Sequence, residues 1–225
     1  LKYTWLLFDA DDTLFDFAKA ESNALQWTLE QLGLPFQPGY VPLYARFNQQ
    51  VWQEFERGLV SSQELRTKRF RLFFEHVGLQ GDIPAVSQRY LRNLALGTDL
   101  LDGAEAVVHG LLSDYRLALV TNGLKDVQRP RLLNSSLRDC FEQVFISEEV
   151  GAAKPTKAYF ETVFAALGQP PREKVLIIGD SLSSDIKGGL DYGIDACWYN
   201  PKGKSTDLPV TYQIRHLNQL AELLK

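Results

Sequence analysis

The chain has 225 residues, with 24 Lys and Arg against 28 Asp and Glu for a formal net charge of −4, and it is 45% hydrophobic with 16 Gly, 10 Pro and two Cys. These proportions are those of an ordinary globular protein and exclude a disordered chain, a collagen-like repeat and a disulfide scaffold. The acidic balance argues against a binder of nucleic acid polymers, which needs a basic stripe, but leaves a small phosphorylated ligand open because local charge decides that.

The first apolar block, Trp5–Phe8, reads as a strand and runs directly into Asp9, Asp11 and Asp12. No signal-peptide core tolerates acids there. No apolar run approaches the roughly 20 residues that span a bilayer. A cytoplasmic protein without a membrane partner is therefore expected. From Phe17 to Leu96 the apolar residues recur at helical spacing, as in Ala24, Trp27 and Leu32, then Tyr44, Phe47, Val51 and Phe55. Leu65, Arg69, Leu72 and Phe73 mark a third helix, and Tyr90, Leu91 and Leu94 a fourth, with glycines between them. So long a helical stretch exceeds what a crossover between strands needs, and it reads as an inserted all-α cap.

Beyond the insert, strand-like blocks return at Leu117–Val120, Val144–Ile146, Val175–Ile178 and Ala196–Tyr199, alternating with helical segments at Ala104–Leu112, Lys157–Leu167 and Asp185–Tyr192. Continuous rather than alternating hydrophobicity indicates strands buried on both faces. The expected fold is α/β, a doubly wound, Rossmann-like parallel sheet with the helical cap inserted. The expected division is a core of residues 1–16 plus 97–225 and a cap of residues 17–96. Cys140 and Cys197 have neither disulfide-framework nor metal spacing and read as packing residues.

Ligands bind such sheets outside the carboxyl ends of the strands. The residues there are Asp9, Asp11 and Thr13, then Thr121 and Asn122, then Lys154, then Asp180 and Asp185. Carboxylates gathered in one crevice repel each other, by about 4 kcal/mol for a pair ~4 Å apart at an effective dielectric of 20. Either some are protonated or a cation sits among them, and oxygen-only donors suit Mg²⁺ better than Zn²⁺. Lys154 and the Thr121 hydroxyl could then hold phosphoryl oxygens. Of the pair Asp9 and Asp11, one carboxylate could attack phosphorus and the other carry the proton of the departing oxygen.

Phe8-Asp9-Ala10-Asp11-Asp12-Thr13-Leu14 resembles the DxDxT signature of the haloacid dehalogenase (HAD) superfamily. Thr121-Asn122-Gly123, Lys154-Pro155 and the Gly179-Asp180 to Asp185 stretch resemble its second, third and fourth motifs, in order. The resemblance implies Asp9 as nucleophile, Asp11 as acid and base, and Thr121 and Lys154 on the phosphate; Asn122, beside Thr121 at the strand end, is a further phosphate-binding candidate. It also implies Mg²⁺ held by Asp9, the main-chain carbonyl of Asp11 and Asp180, with Asp185 in support. A finer likeness joins Asp9 through Phe17, Ile146 through Gly151 and the cap segment from Asn48 through Trp52 to Gly58, followed by Arg69-Phe70, to the YjjG-type group of pyrimidine nucleoside monophosphate phosphatases. It implies a 5′-nucleotidase acting through an aspartyl-phosphate; a monomer or homodimer is expected, without a sequence feature that decides between them. Asn48 and Trp52, four apart on one helical face, could present an amide and an aromatic plate to the base. The competing expectations are a sugar-phosphate or phosphoglycolate phosphatase, a phosphomutase, and a protein that binds without catalysis.

Overall fold

The computed structural model describes residues 1–224. Strand β1 (Trp5–Phe8) is followed by helices α1 (Phe17–Gln31), α2 (Tyr40–Glu56), α3 (Ser62–Val77) and α4 (Ile83–Leu94). Then come α5 (Ala104–Leu111), β2 (Arg116–Thr121), α6 (Lys125–Leu133), β3 (Gln143–Ile146), α7 (Ser147–Val150) and α8 (Lys157–Ala166). The chain closes with β4 (Val175–Gly179), α9 (Lys187–Tyr192), β5 (Asp195–Tyr199), β6 (Tyr212–Ile214) and α10 (Leu220–Leu223).

The strands form one sheet in the order β3-β2-β1-β4-β5-β6, every neighbouring pair parallel. The continuous apolar runs have the cause anticipated for them, since both faces are covered. Leu6 and Phe8 of β1 join Leu117, Leu119, Leu176 and Ile178 in a core with Val107 and Val108 of α5 and Leu220 of α10. Trp5 and Leu7 point the other way, into a second core with Ala118, Val120, Ile177 and the α8 residues Tyr159, Phe160 and Val163. Burial of each such side chain contributes roughly 1.5–3 kcal/mol. Because β2 and β4 flank β1, the strand order reverses beside it, and the carboxyl end of β1 opens at the switch point of the sheet.

By packing, the chain divides into two compact units. One comprises Leu1–Asp16, Asp99–Lys125 and the chain from Leu132 onward; the other comprises Phe17–Thr98 and Asp126–Arg131. The short segment Asp126–Arg131, counted with the core from the sequence, thus groups with the helices. In the helical unit α1 packs on α4 and α2 on α3. Its aromatic centre is Tyr44, stacked on Phe70 at 5.1 Å between ring centroids and meeting Phe73 edge-on at 5.7 Å. Trp27, grouped with Ala24 by spacing, instead faces outward at 38% exposure. The inner stripe of α1 is made by Ala20, Glu21, Ala24, Leu25, Thr28 and Leu29. Helix α3 begins on a capping box in which Ser61 and Glu64 satisfy each other's main-chain N–H, and it stops at Gly78 in the left-handed region (φ +70°).

One expected helix is reshaped. The segment Asp185–Tyr192 does not start as α-helix: Leu182–Ile186 winds as a wider π-type turn before α9 begins at Lys187. The main-chain N–H of Asp185 and of Ile186 both donate to the Ser181 carbonyl at 3.1 Å. The Asp185 side chain reaches back to accept from the Ser181 N–H at 3.1 Å. Two inward demands on one turn widen it. Among the described residues no helix is long and apolar enough to cross a membrane.

Candidate active site

The carboxyl end of β1 delivers Asp9, whose N–H donates to the Ile178 carbonyl of β4 at 2.9 Å, continuing the ladder one residue past the strand. The chain then turns sharply. Leu14 and Phe15 both donate to the Ala10 carbonyl at 2.9 Å, and Asp12 adopts φ +58°, a left-handed conformation that Asp tolerates better than most residues. This turn leaves Asp9 buried, Asp11 half-buried and Asp12 exposed. Thr13, fully buried, ties the turn to β4: its hydroxyl donates to Asp9 Oδ2 at 3.3 Å and accepts from the Asp180 N–H at 3.1 Å.

Lys154 lies at the centre of the site and is 1% exposed. Its Nζ donates to Asp9 Oδ1 at 2.7 Å, Asp185 Oδ1 at 2.6 Å and the Val120 carbonyl at 2.7 Å. These three acceptors match the three donors of an ammonium group. Burial opposes its charge, but Asp185 and Asp9 outweigh that and hold the ammonium above its ordinary range. Asn122 grips the Lys154 main chain from both sides, donating to its carbonyl and accepting from its N–H, each at 2.8 Å. The sequence placed Asn122 on the phosphate; here its amide positions the lysine. Ser147, at the start of α7, donates from its hydroxyl to the Asn122 carbonyl at 3.1 Å and steadies the same loop. Thr121 accepts from the Gly123 N–H at 3.0 Å, which leaves its own O–H to donate elsewhere.

The fourth motif supplies Asp180 and Asp185. Trp198 of β5 donates its indole N–H to the Asp180 carbonyl at 2.9 Å. A side chain on Gly179 would put its Cβ 2.2 Å from Asp185 Oδ2, so glycine is what lets that carboxylate fold inward. One carboxylate oxygen each from Asp9, Asp180 and Asp185 lies within 4.8 Å of the others. Burial, reinforced by Asp185, pushes the Asp9 carboxyl up to about 7 despite the nearby lysine. Burial, followed by Asp9 and Asp185, pushes Asp180 up to about 9. One ammonium thus leaves negative charge uncompensated, and hard oxygen donors so arranged fit a divalent cation such as Mg²⁺. Asp11 stands outside this triangle.

The structure therefore brings together Asp9, Asp180, Asp185 and Lys154, with Thr121 at the end of β2 and Asn122 directly after it. The two candidates on α2 belong to the helical unit. Asn48 is 2% exposed, and its amide donates to Glu21 at 2.7 Å and accepts from Arg69 at 3.0 Å, all inside the helical unit. Trp52 is half-buried and meets Phe55 edge-on at 5.6 Å. Sequence reasoning missed the roles of Gly179, Ser147 and Trp198. Only Gly179 carried a signal, as the small residue directly before a strand-end acid.

Comparison with known proteins supplies the family. The family description of haloacid dehalogenase-like hydrolases matches residues 3–193. The pyrimidine 5′-nucleotidase PynA of Streptococcus pneumoniae is 38% identical over 99% of this chain and 95% of its own. The pyrimidine 5′-nucleotidase YjjG of Escherichia coli is 30% identical over 100% of this chain and 99% of its own. The crystal structure of the HAD-hydrolase YfnB of Bacillus subtilis, described as bound to magnesium and revealing interdomain movement, superposes with a TM-score of 0.93 at 39% identity over 100% of both chains. With four motifs converging at the carboxyl ends of the strands and similarity along its whole length, the chain belongs to the haloacid dehalogenase-like hydrolases.

Proposed function

We propose that the protein is a Mg²⁺-dependent phosphomonoesterase that forms an aspartyl-phosphate on Asp9 and acts on pyrimidine nucleoside 5′-monophosphates. The observation that carries the chemistry is the buried Asp9 carboxylate, fixed by Lys154 at 2.7 Å and Thr13 at 3.3 Å at the switch point of the sheet. A nucleophile held in one rotamer loses little entropy on reaching the attack geometry. Asp9 attacks phosphorus through one carboxylate oxygen; the bond to the ester oxygen breaks, and Asp11 gives that oxygen its proton. In the second half Asp11 takes a proton from water as the water oxygen bonds to phosphorus, and the Asp9–phosphorus bond breaks to release inorganic phosphate.

Lys154 and the Thr121 hydroxyl supply positive charge and a hydrogen bond to the phosphoryl oxygens, and Asn122 keeps Lys154 in place. Asp9, Asp180 and the Asp11 main chain would hold Mg²⁺, with Asp185 in support. When bound, the ion neutralises phosphoryl charge and offsets the repulsion among the acids.

The nucleotide preference rests on the relatives PynA and YjjG, each named a pyrimidine 5′-nucleotidase. Selection of the leaving group is assigned to the helical unit, inserted from Phe17 as a cap. The test is phosphate release with Mg²⁺ over a panel of nucleoside monophosphates, sugar phosphates and phosphoglycolate. The highest kcat/KM is expected on pyrimidine monophosphates. A clear preference for a sugar phosphate or phosphoglycolate would overturn the substrate while leaving the chemistry intact.

A further inference from the structure

The helical unit contains a groove whose chemistry the reaction above does not use. It is lined along α3 by Gln63, Arg66 and Thr67, along α4 by Ser87, Gln88 and Arg92, and at one end by Asp126, all within that unit. Its volume is about 500 Å³, and Pro84 and Leu91 add apolar surface to its lining. Small-molecule sites commonly fall at about 300–1,000 Å³, apolar in part and with a few convergent polar groups.

We propose that this groove binds a phosphorylated polyhydroxy metabolite, its anion held by Arg92 and Arg66 and its hydroxyls by the neutral polar side chains around them. The charge argument comes first. The lining carries two guanidinium groups against one carboxylate, and that carboxylate is already engaged, Asp126 Oδ2 lying 2.9 Å from Arg66 Nη1. Arg66 is held by this pair with its side chain only 14% exposed, so it is a pre-positioned donor. Arg92, on the last turn of α4, has no hydrogen-bond or ion-pair partner among the described residues. The lining therefore offers a net positive charge with one guanidinium fork uncommitted, the geometry that suits phosphate.

The hydroxyl argument comes second. Gln63 and Gln88 have no side-chain hydrogen-bond partner among the described residues. The Ser87 hydroxyl donates to the Arg66 carbonyl at 2.7 Å, which fixes that rotor and leaves its lone pairs to accept. Amides and fixed acceptors beside a guanidinium fork provide both senses of hydrogen bond that sugar hydroxyls need.

The test is calorimetric titration of the full chain at low salt with EDTA present. Without a divalent ion, the excess of carboxylates around Asp9 disfavours anions, and dependence on Arg92 isolates the groove. Ribose 5-phosphate is expected to bind saturably, one per chain, and more tightly than inorganic phosphate. Arg92→Gln should weaken it about tenfold, the loss of one charge-assisted contact. Gln88→Ala should weaken ribose 5-phosphate several-fold but leave inorganic phosphate unaffected. Both positions are exposed, and an unchanged thermal midpoint certifies the fold of each variant. Absence of saturable binding, or equal affinity in wild type and Arg92→Gln, overturns the site. Equal affinity for phosphate and ribose 5-phosphate overturns the assignment of hydroxyl recognition.

Discussion

Asp9 does two things that pull against each other: it must be buried to be held still, and it must be ionised to attack. Burial alone would keep it protonated near neutral pH, and Lys154 at 2.7 Å works in the opposite direction. Replacing it tests this directly. Asp9→Asn keeps the shape and removes the nucleophile, and phosphate release should fall by a factor on the order of 10³ or more. Asp180→Asn should instead raise the Mg²⁺ concentration needed for half-maximal rate, read from metal titrations of activity. Thr13 joins the two acids through one hydroxyl. Thr13→Val leaves the half-buried Asp180 N–H without its partner, a loss of about 1 kcal/mol in stability that urea unfolding would measure, with a fall in kcat.

At the scale of elements, the site depends on how four loops end. Gly179 closes β4 against Asp185 with no room for a methyl group, so Gly179→Ala should cost about 1–3 kcal/mol by overpacking and displace the carboxylate that holds Lys154. Thermal unfolding and kcat should fall together in that variant. The strand ends themselves were legible in the sequence, because a strand buried on both faces is a continuous apolar run and its polar successor is conspicuous. Asp9 and Asp180 directly follow such runs, whereas Lys154 and Asp185 stand further along the chain after β3 and β4. The roles of Asn122 and Ser147 were not legible, because the Lys154 main chain they organise is brought beside them only by the parallel pairing of β2 with β3. The wider turn at Leu182–Ile186 has no pattern of its own, since it arises from hydrogen bonds to Ser181. On α2 the period revealed which residues share a face but not whether that face meets ligand or protein, and Asn48 meets Glu21 and Arg69.

For the whole molecule, the acidic cluster links stability to pH. The folded-state carboxyls of Asp9 and Asp180 titrate near 7 and 9, above the ordinary value of 3.8. A raised carboxyl binds its proton more tightly folded than unfolded, so its contribution is complete below the unfolded value and is lost as pH rises through the folded one. The metal-free protein should therefore lose stability progressively from about pH 4 to about pH 9. Added Mg²⁺ should raise the thermal midpoint more at pH 8 than at pH 5, because it binds the ionised form. Equal shifts at both values would contradict a shared metal and proton site. The net charge of −4, uninformative by itself, acquires a location here, since Asp9, Asp180 and Asp185 gather at the carboxyl end of the central strands against a single lysine.

The account turns on a covalent bond between Asp9 and phosphorus. An acyl phosphate is reduced by borohydride to an alcohol, which would convert residue 9 to homoserine. Protein quenched with borohydride during turnover of a pyrimidine monophosphate with Mg²⁺ is predicted to show that mass change in the peptide containing Asp9, and only when substrate is present. Steady turnover with Asp9 unreduced, or reduction at another carboxylate, would contradict the mechanism.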